Sequence, residues 1–141
     1  MHTDYALRIL LHSAARPGER LSIAATAAQH GISRNHVMKV VNVLANAGLL
    51  DTARGRGGGF ILARDPSSIT LGEVVRLTEP DMQPADCGSC ILRVGCGLTP
   101  LLGAAIQAFL DELDSKTLAD ALVKTTLPFK AQACEVQTPG F

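Results

Sequence analysis

The chain has 141 residues, 18% of them charged, with 13 Lys/Arg balanced by 13 Asp/Glu. That length suits one domain, or a small domain with a dimerising extension, and can bury roughly 70% of its unfolded surface without disulfide staples. The balance is uneven along the chain. Residues 1–64 carry eight basic against three acidic side chains and residues 65–141 carry five against ten, so a neutral protein has a front half suited to an anionic partner.

In chain order, Tyr5, Ala6, Ile9, Leu10 and Ser13 recur at helical spacing, which predicts a first helix from Thr3 to Ala14, ended by Pro17-Gly18. Ser22 is placed to cap a second helix whose inner face would be Ile23, Ala24, Ala27 and Ala28, with Gly31 as its C-terminal stop. Ser33 caps a third helix, in which Val37, Val40, Val41 and Leu44 form the buried stripe before Gly48. The opposite face carries Asn35, His36, Lys39, Asn42 and Asn46, side chains suited to base edges and phosphates. Taken alone, that strip could equally be an ordinary solvated face.

The next segment of chain decides between the two. Strands are predicted over Leu49 to Ala53 and Phe60 to Ala63, joined by Arg54-Gly55-Arg56-Gly57-Gly58-Gly59. A phosphate-cradling loop of a nucleotide enzyme would need Lys-Ser or Lys-Thr and then a helix, whereas here a strand comes next. Two short helices, a polar-faced helix and a basic hairpin make a winged helix-turn-helix, mainly α with a small β wing. The expected contacts to double-stranded DNA are Ser33, Arg34, Asn35, His36, Lys39 and Asn42 from the third helix and its cap, and Arg54, Arg56 and Gly57 from the wing.

Thr70 and Glu73 have capping-box spacing before a fourth helix that stops at about Thr78. After a loop from Pro80 to Gly97, Thr99 would cap and Pro100 open a long amphipathic helix to Asp114, about 22 Å in length. It has more apolar surface than a small winged domain can cover, so a homodimer is expected, the alternative being that this helix closes the monomer core. The division is therefore a DNA-binding domain over 1–79, a cysteine loop over 80–97, a dimerisation helix with a short following helix over 98–125, and a flexible tail over 126–141.

Cys87, Cys90 and Cys96 fall within ten residues of one another, while Cys134 stands alone in the tail and receives no role. This clustering is unlike a secreted disulfide framework and points to a reducing cytoplasm. No signal peptide opens the sequence, and the apolar stretch from Leu98 to Leu110 is too short and too striped for a membrane span. Three thiolates on one loop fit a structural zinc site or an iron–sulfur site, with the fourth ligand open. A thiol switch at the CxxC pair is a third option, although the βαβ pattern of a thioredoxin-like enzyme is absent. No enzyme is expected: Asp111, Glu112 and Asp114 read as solvated residues at a helix end, and His12 and His30 as surface or helix-end residues.

The segments His2-Thr3-Asp4-Tyr5-Ala6-Leu7-Arg8, Ser33-Arg34-Asn35-His36-Val37-Met38-Lys39-Val40-Val41 and Arg54-Gly55-Arg56-Gly57-Gly58-Gly59-Phe60, with the clustered cysteines, resemble the Rrf-type winged-helix iron–sulfur regulators. The resemblance runs from residue 2 to about 125. Within that family, Leu113-Asp114 followed by Thr117-Leu118-Ala119-Asp120 is most similar to the nitric-oxide-sensing repressors. The resemblance implies a homodimeric repressor whose operator binding is abolished when nitric oxide attacks its cluster. It also implies a 4Fe–4S cluster held by Cys87, Cys90 and Cys96, with Asp4 of the partner subunit as fourth ligand. Sister regulators of cluster biosynthesis carry a histidine three residues past the last cysteine, where this chain has Thr99. Only two residues separate Cys87 from Cys90, fewer than in familiar members, which leaves 2Fe–2S as the alternative cluster. Regulation by iron, cluster status or redox state, or a structural zinc, are the competing readings on the same fold.

Overall fold

The computed structural model of the chain describes residues 3–128; Cys134 and the expected tail beyond 128 lie outside them. Helix α1 (Thr3–Ala14) buries Ala6, Ile9 and Leu10 completely, the stripe its spacing requires. Helix α2 (Ile23–His30) opens at Ser22, whose hydroxyl accepts from the Ala25 N–H at 3.1 Å, and stops at a left-handed Gly31. Its buried residues are Thr26 and Ala27, so Ala24 and Ala28, expected inside, are exposed. With eight residues the helix seats only a narrow edge against its neighbours, and an alanine repeat does not specify which edge.

Helix α3 (Arg34–Asn46) is capped as expected, with the His36 N–H donating to Ser33 Oγ at 3.2 Å, and buries Val37, Val40, Val41 and Leu44. Strands β1 (Leu50–Ala53) and β2 (Gly59–Leu62) pair antiparallel, with Leu50 opposite Leu62 and Ala53 opposite Gly59. Leu21 adds a bridge that the sequence pattern does not announce: it exchanges backbone hydrogen bonds with Phe60 at 2.8 and 2.9 Å. Gly59 makes this approach possible. Its φ is 134°, and a Cβ there would lie 2.0 Å from the Leu21 carbonyl oxygen.

Helix α4 (Leu71–Thr78) follows a 3-10 turn at Pro66–Ser68. Thr70 accepts from the Glu73 N–H at 3.1 Å, but the expected box is only half made, because the Glu73 carboxylate turns to Arg64 Nη1 at 2.7 Å. Arg64 also donates to the Ser68 carbonyl, so the base of the wing is tied to α4. Helix α5 (Leu98–Asp114) begins two residues before Pro100, with Gly97 rather than Thr99 at the N-cap, and has no buried residue. Its far end is held to α4, where Arg76 grips both oxygens of Asp114, one of them at 2.8 Å. A Cβ at Gly72 would lie 1.9 Å from Asp114 Oδ1, so a side chain there would displace that carboxylate from its present position. Asp114 is exposed, as expected, and is also an anchor for α5.

Helix α6 (Leu118–Val123) carries the complete capping box, Thr117 with Asp120, and returns to the winged domain. Leu118 is fully buried in the same core as Ile9, Phe60 and Ile69, and its N–H donates to the Ile69 carbonyl at 2.8 Å. Among the described residues no helix is long and apolar enough to cross a membrane.

Candidate nucleic-acid interface and cysteine loop

The burial of Val37, Val40, Val41 and Leu44 forces the other side of α3 outward. Ser33, Arg34, Asn35, His36, Lys39 and Asn42 are all exposed, as are Arg54, Arg56 and Gly57 at the hairpin tip. The tip is a turn closed by the Gly58 N–H donating to the Gly55 carbonyl at 3.0 Å, which leaves both arginines projecting from a narrow hairpin. A polar helix face beside a basic hairpin is the arrangement that reads a groove with one element and holds backbone phosphate with the other.

The N-terminal turn of α1 lies beside that helix. The Tyr5 ring meets His36 edge to face, with centroids 5.6 Å apart, and the Arg8 guanidinium sits 5.9 Å from the Tyr5 ring centre. Arg8 also holds Asp4 with two contacts, Nε to Oδ1 and Nη2 to Oδ2, each 2.8 Å. Asp4 itself is exposed. Thr3 links the start of α1 to the end of α4 through Thr78 Oγ1 at 2.7 Å and Glu79 Oε1 at 3.0 Å.

Cys87, Cys90 and Cys96 are free thiols on the loop that leads into α5. The Cys90 N–H donates to the Cys87 carbonyl at 3.4 Å, so the first two lie on one turn. Cys96 stands at the head of α5, where the N–H groups of Leu98 and then Thr99 hold its thiol below the usual range. The flanks are apolar. Cys96 lines an open concavity of about 650 Å³ with Ile91, Leu92, Val94, Leu98 and Leu101, and Cys87 lines another of about 250 Å³ with Met82, Leu102 and Ile106. Among the described residues, no three His, Cys, Asp or Glu side chains stand together at ligating distance. The donor set nevertheless fits an iron–sulfur cluster: soft thiolate ligands, backbone N–H groups aimed at one sulfur, and an apolar surround.

Residues 1–124 match the family described as "Rrf2: Iron-dependent Transcriptional regulator". The chain belongs to the Rrf2 family. It is 46% identical over 129 residues to the HTH-type transcriptional regulator NsrR of Bacillus subtilis (strain 168), covering 87% of this chain and 88% of that protein. The NsrR of Bacillus licheniformis is 41% identical over 128 residues, covering 86% of this chain and 90% of that protein. Among solved structures, CymR, the global cysteine regulator of B. subtilis, has a TM-score of 0.71 at 30% identity, covering 88% of this chain and 95% of that one. T. potens IscR has a TM-score of 0.66 at 26% identity, covering 92% and 87%. The chain is therefore a winged-helix DNA-binding transcriptional regulator, and the resemblance drawn from its motifs stands.

Several contacts lie beyond the reach of the sequence pattern. His12 is 1% exposed, not a surface residue, and its Nδ1 lies 3.1 Å from His30 Nε2. The apolar spacing of α1 places position 12 inside, three residues after Ile9, a signal that the polarity of histidine outweighs. The Arg64–Glu73 and Arg76–Asp114 pairs have no sequence signal, because each joins separate elements.

Proposed function

We propose that the protein is a cytoplasmic, homodimeric repressor that senses nitric oxide through an iron–sulfur cluster, most simply 4Fe–4S. The observation that carries this reading is the cysteine loop: three free thiols ahead of α5, one of them under the N–H groups of Leu98 and Thr99. Kinship to two NsrR proteins supports it. Cys87, Cys90 and Cys96 would hold the cluster, with Asp4 of the partner subunit as the fourth ligand. A cluster with one carboxylate ligand supplies an iron that a small molecule can reach, since a carboxylate bonds iron less firmly than a thiolate does.

The chain's own part is to convert the state of Asp4 into the position of α3. Asp4 gives both oxygens to Arg8, and binding metal in the partner subunit would draw charge and position away from that grip, so the two engagements compete. Arg8 lies against Tyr5, and Tyr5 abuts His36 on the reading helix, so these contacts would carry a change at Asp4 to α3. Nitric oxide thus releases operator DNA by changing what the first turn of α1 holds. A dimer also gives α5 the apolar cover it lacks, and spaces two reading helices for two half-sites.

The test is the absorption spectrum of anaerobically purified protein with iron, sulfide and zinc analysis, before and after stoichiometric nitric oxide. A brown protein with about four irons per chain, bleached by nitric oxide with loss of DNA binding, is the expected result. About two irons per chain would make the cluster 2Fe–2S; a colourless protein with about one zinc per chain would overturn the sensor reading. The Asp4→Ala chain is expected to lose the coupling, and an unaltered nitric oxide response in it would exclude Asp4 as the link.

A further inference from the structure

Met38 is 47% exposed, and every other large apolar side chain exposed among the described residues lies in the cysteine loop, α5 or α6. On the winged domain it stands apart, and the core does not explain it, because Val37, Val40, Val41 and Leu44 already complete the buried stripe of α3. Met38 follows Asn35 by three residues and precedes Asn42 by four, so the three form one ridge along the outer face. Lys39 lies beside that ridge. Along that row the exposed groups run amide, thioether, amide.

That order of groups has a counterpart in duplex DNA. The one apolar group that base pairs present in the major groove is the C5-methyl of thymine, and the side-chain partner suited to adenine N6 and N7 is an amide. We propose that Met38 is a base-reading residue that packs its thioether end on a thymine methyl, between adenines read by Asn35 and Asn42, so each half-site centres on A·T pairs. The proposal rests on the DNA-binding function and adds which bases that function selects. An exposed methionine is suited to this, since its unbranched, polarisable chain adapts to a methyl group without strict geometry.

The experiment takes the anaerobically purified full chain and selects its preferred duplexes from a random pool. The preferred duplex is then made again with deoxyuridine at each thymidine in turn, and affinity is read by fluorescence anisotropy at fixed salt. Removing the methyl of the contacted thymine is expected to weaken binding about fourfold, the worth of one buried methyl, and roughly fifteenfold when both half-sites are changed. Met38→Ala should bind thymidine and deoxyuridine duplexes equally while keeping the salt slope of the unmodified chain, because phosphate contacts remain. Met38→Leu should retain the preference for thymidine. Met38→Ala that still distinguishes the two duplexes, or an unmodified chain indifferent to every deoxyuridine, would overturn the proposal while leaving DNA reading intact. Enrichment of no sequence would overturn the DNA reading beneath it. Unchanged DNA binding by Met38→Ala at every duplex would likewise overturn it.

Discussion

The His12–His30 pair, with His12 buried, makes stability depend on pH in a window where little else titrates. His12 on α1 is 1% exposed and shares a hydrogen bond with His30 on α2, so one ring nitrogen donates and the other accepts. Protonation of one ring keeps the contact, with the charged ring donating, but places a charge in a site with little water, and a second proton would set two N–H groups against each other. Burial first, then the charge of His30 and of Arg16, lowers the His12 pKa to about 4, and burial followed by Arg8 lowers that of His30. The unfolded chain takes up the His12 proton near its ordinary value of about 6.5, and the folded chain only near 4, so between these pH values the unfolded state binds more protons. Stability is therefore complete above about pH 6.5, declines as pH falls, and has lost this contribution fully once pH passes below about 4. At about 1.4 kcal/mol for each pH unit, the full loss between those values comes to roughly 3.5 kcal/mol at most, a large part of the roughly 5–15 kcal/mol that holds a domain together. Urea unfolding of the cluster-free full chain, followed by far-UV circular dichroism from about pH 7.5 to about pH 4.5, measures it. Asp65, Asp114 and Asp120 are held below the usual carboxylate range by hydrogen bonds to Ser67, Arg76 and Thr117 respectively, so their acid losses begin only under about pH 4. His12→Gln keeps a polar contact to His30 without that titration and should flatten the decline. An equal decline in both proteins would refute the reasoning.

Gly59→Ala should destabilise the fold by roughly 2–4 kcal/mol, because the new methyl group meets the Leu21 carbonyl and the backbone is held in a glycine conformation. Thermal unfolding checks this, and a change of less than about 1 kcal/mol would mean that the Leu21–Phe60 bridge is dispensable. Arg54→Ala and Arg56→Ala should each weaken DNA binding across sequences and reduce the magnitude of the salt slope by about 1. A slope unchanged after both are removed would take the hairpin off the DNA.

Local chemistry makes most of the winged domain legible. The caps at Ser22, Ser33 and Thr70 act within three residues, and the stripe of α3 is a matter of period, so sequence alone suffices for both. The start of α5 is misplaced by sequence because Thr99-Pro100 is a strong helix-opening signal, yet the helix begins earlier, at Leu98, with the Leu98 and Thr99 N–H groups facing Cys96. Glu73 reads as one half of a local box, but its carboxylate turns to Arg64, on the far side of the 3-10 turn. The exposed strip of α3 is legible as polar; Met38 is not, because a period argument assigns apolar residues to the core.

Helix α1 is where the proposed sensing and reading functions meet, and its packing limits how it can move. Ala6, Ile9 and Leu10 are completely buried in a core shared with α3, β2 and α6. A close-packed interior does not yield by compression, so α1 cannot bend locally at these positions without opening a void. The solvent side of its first two turns is different: Thr3, Asp4 and Arg8 keep polar or ionic contacts near solvent, whose partners can be exchanged at small cost. A change at Asp4 therefore reaches α3 either through the exposed Arg8, Tyr5 and His36 contacts or by a rigid shift of the whole helix. The two routes make different demands on the core. A rigid shift would also disturb the buried His12–His30 contact at the opposite end of α1, whereas the surface route would leave it in place.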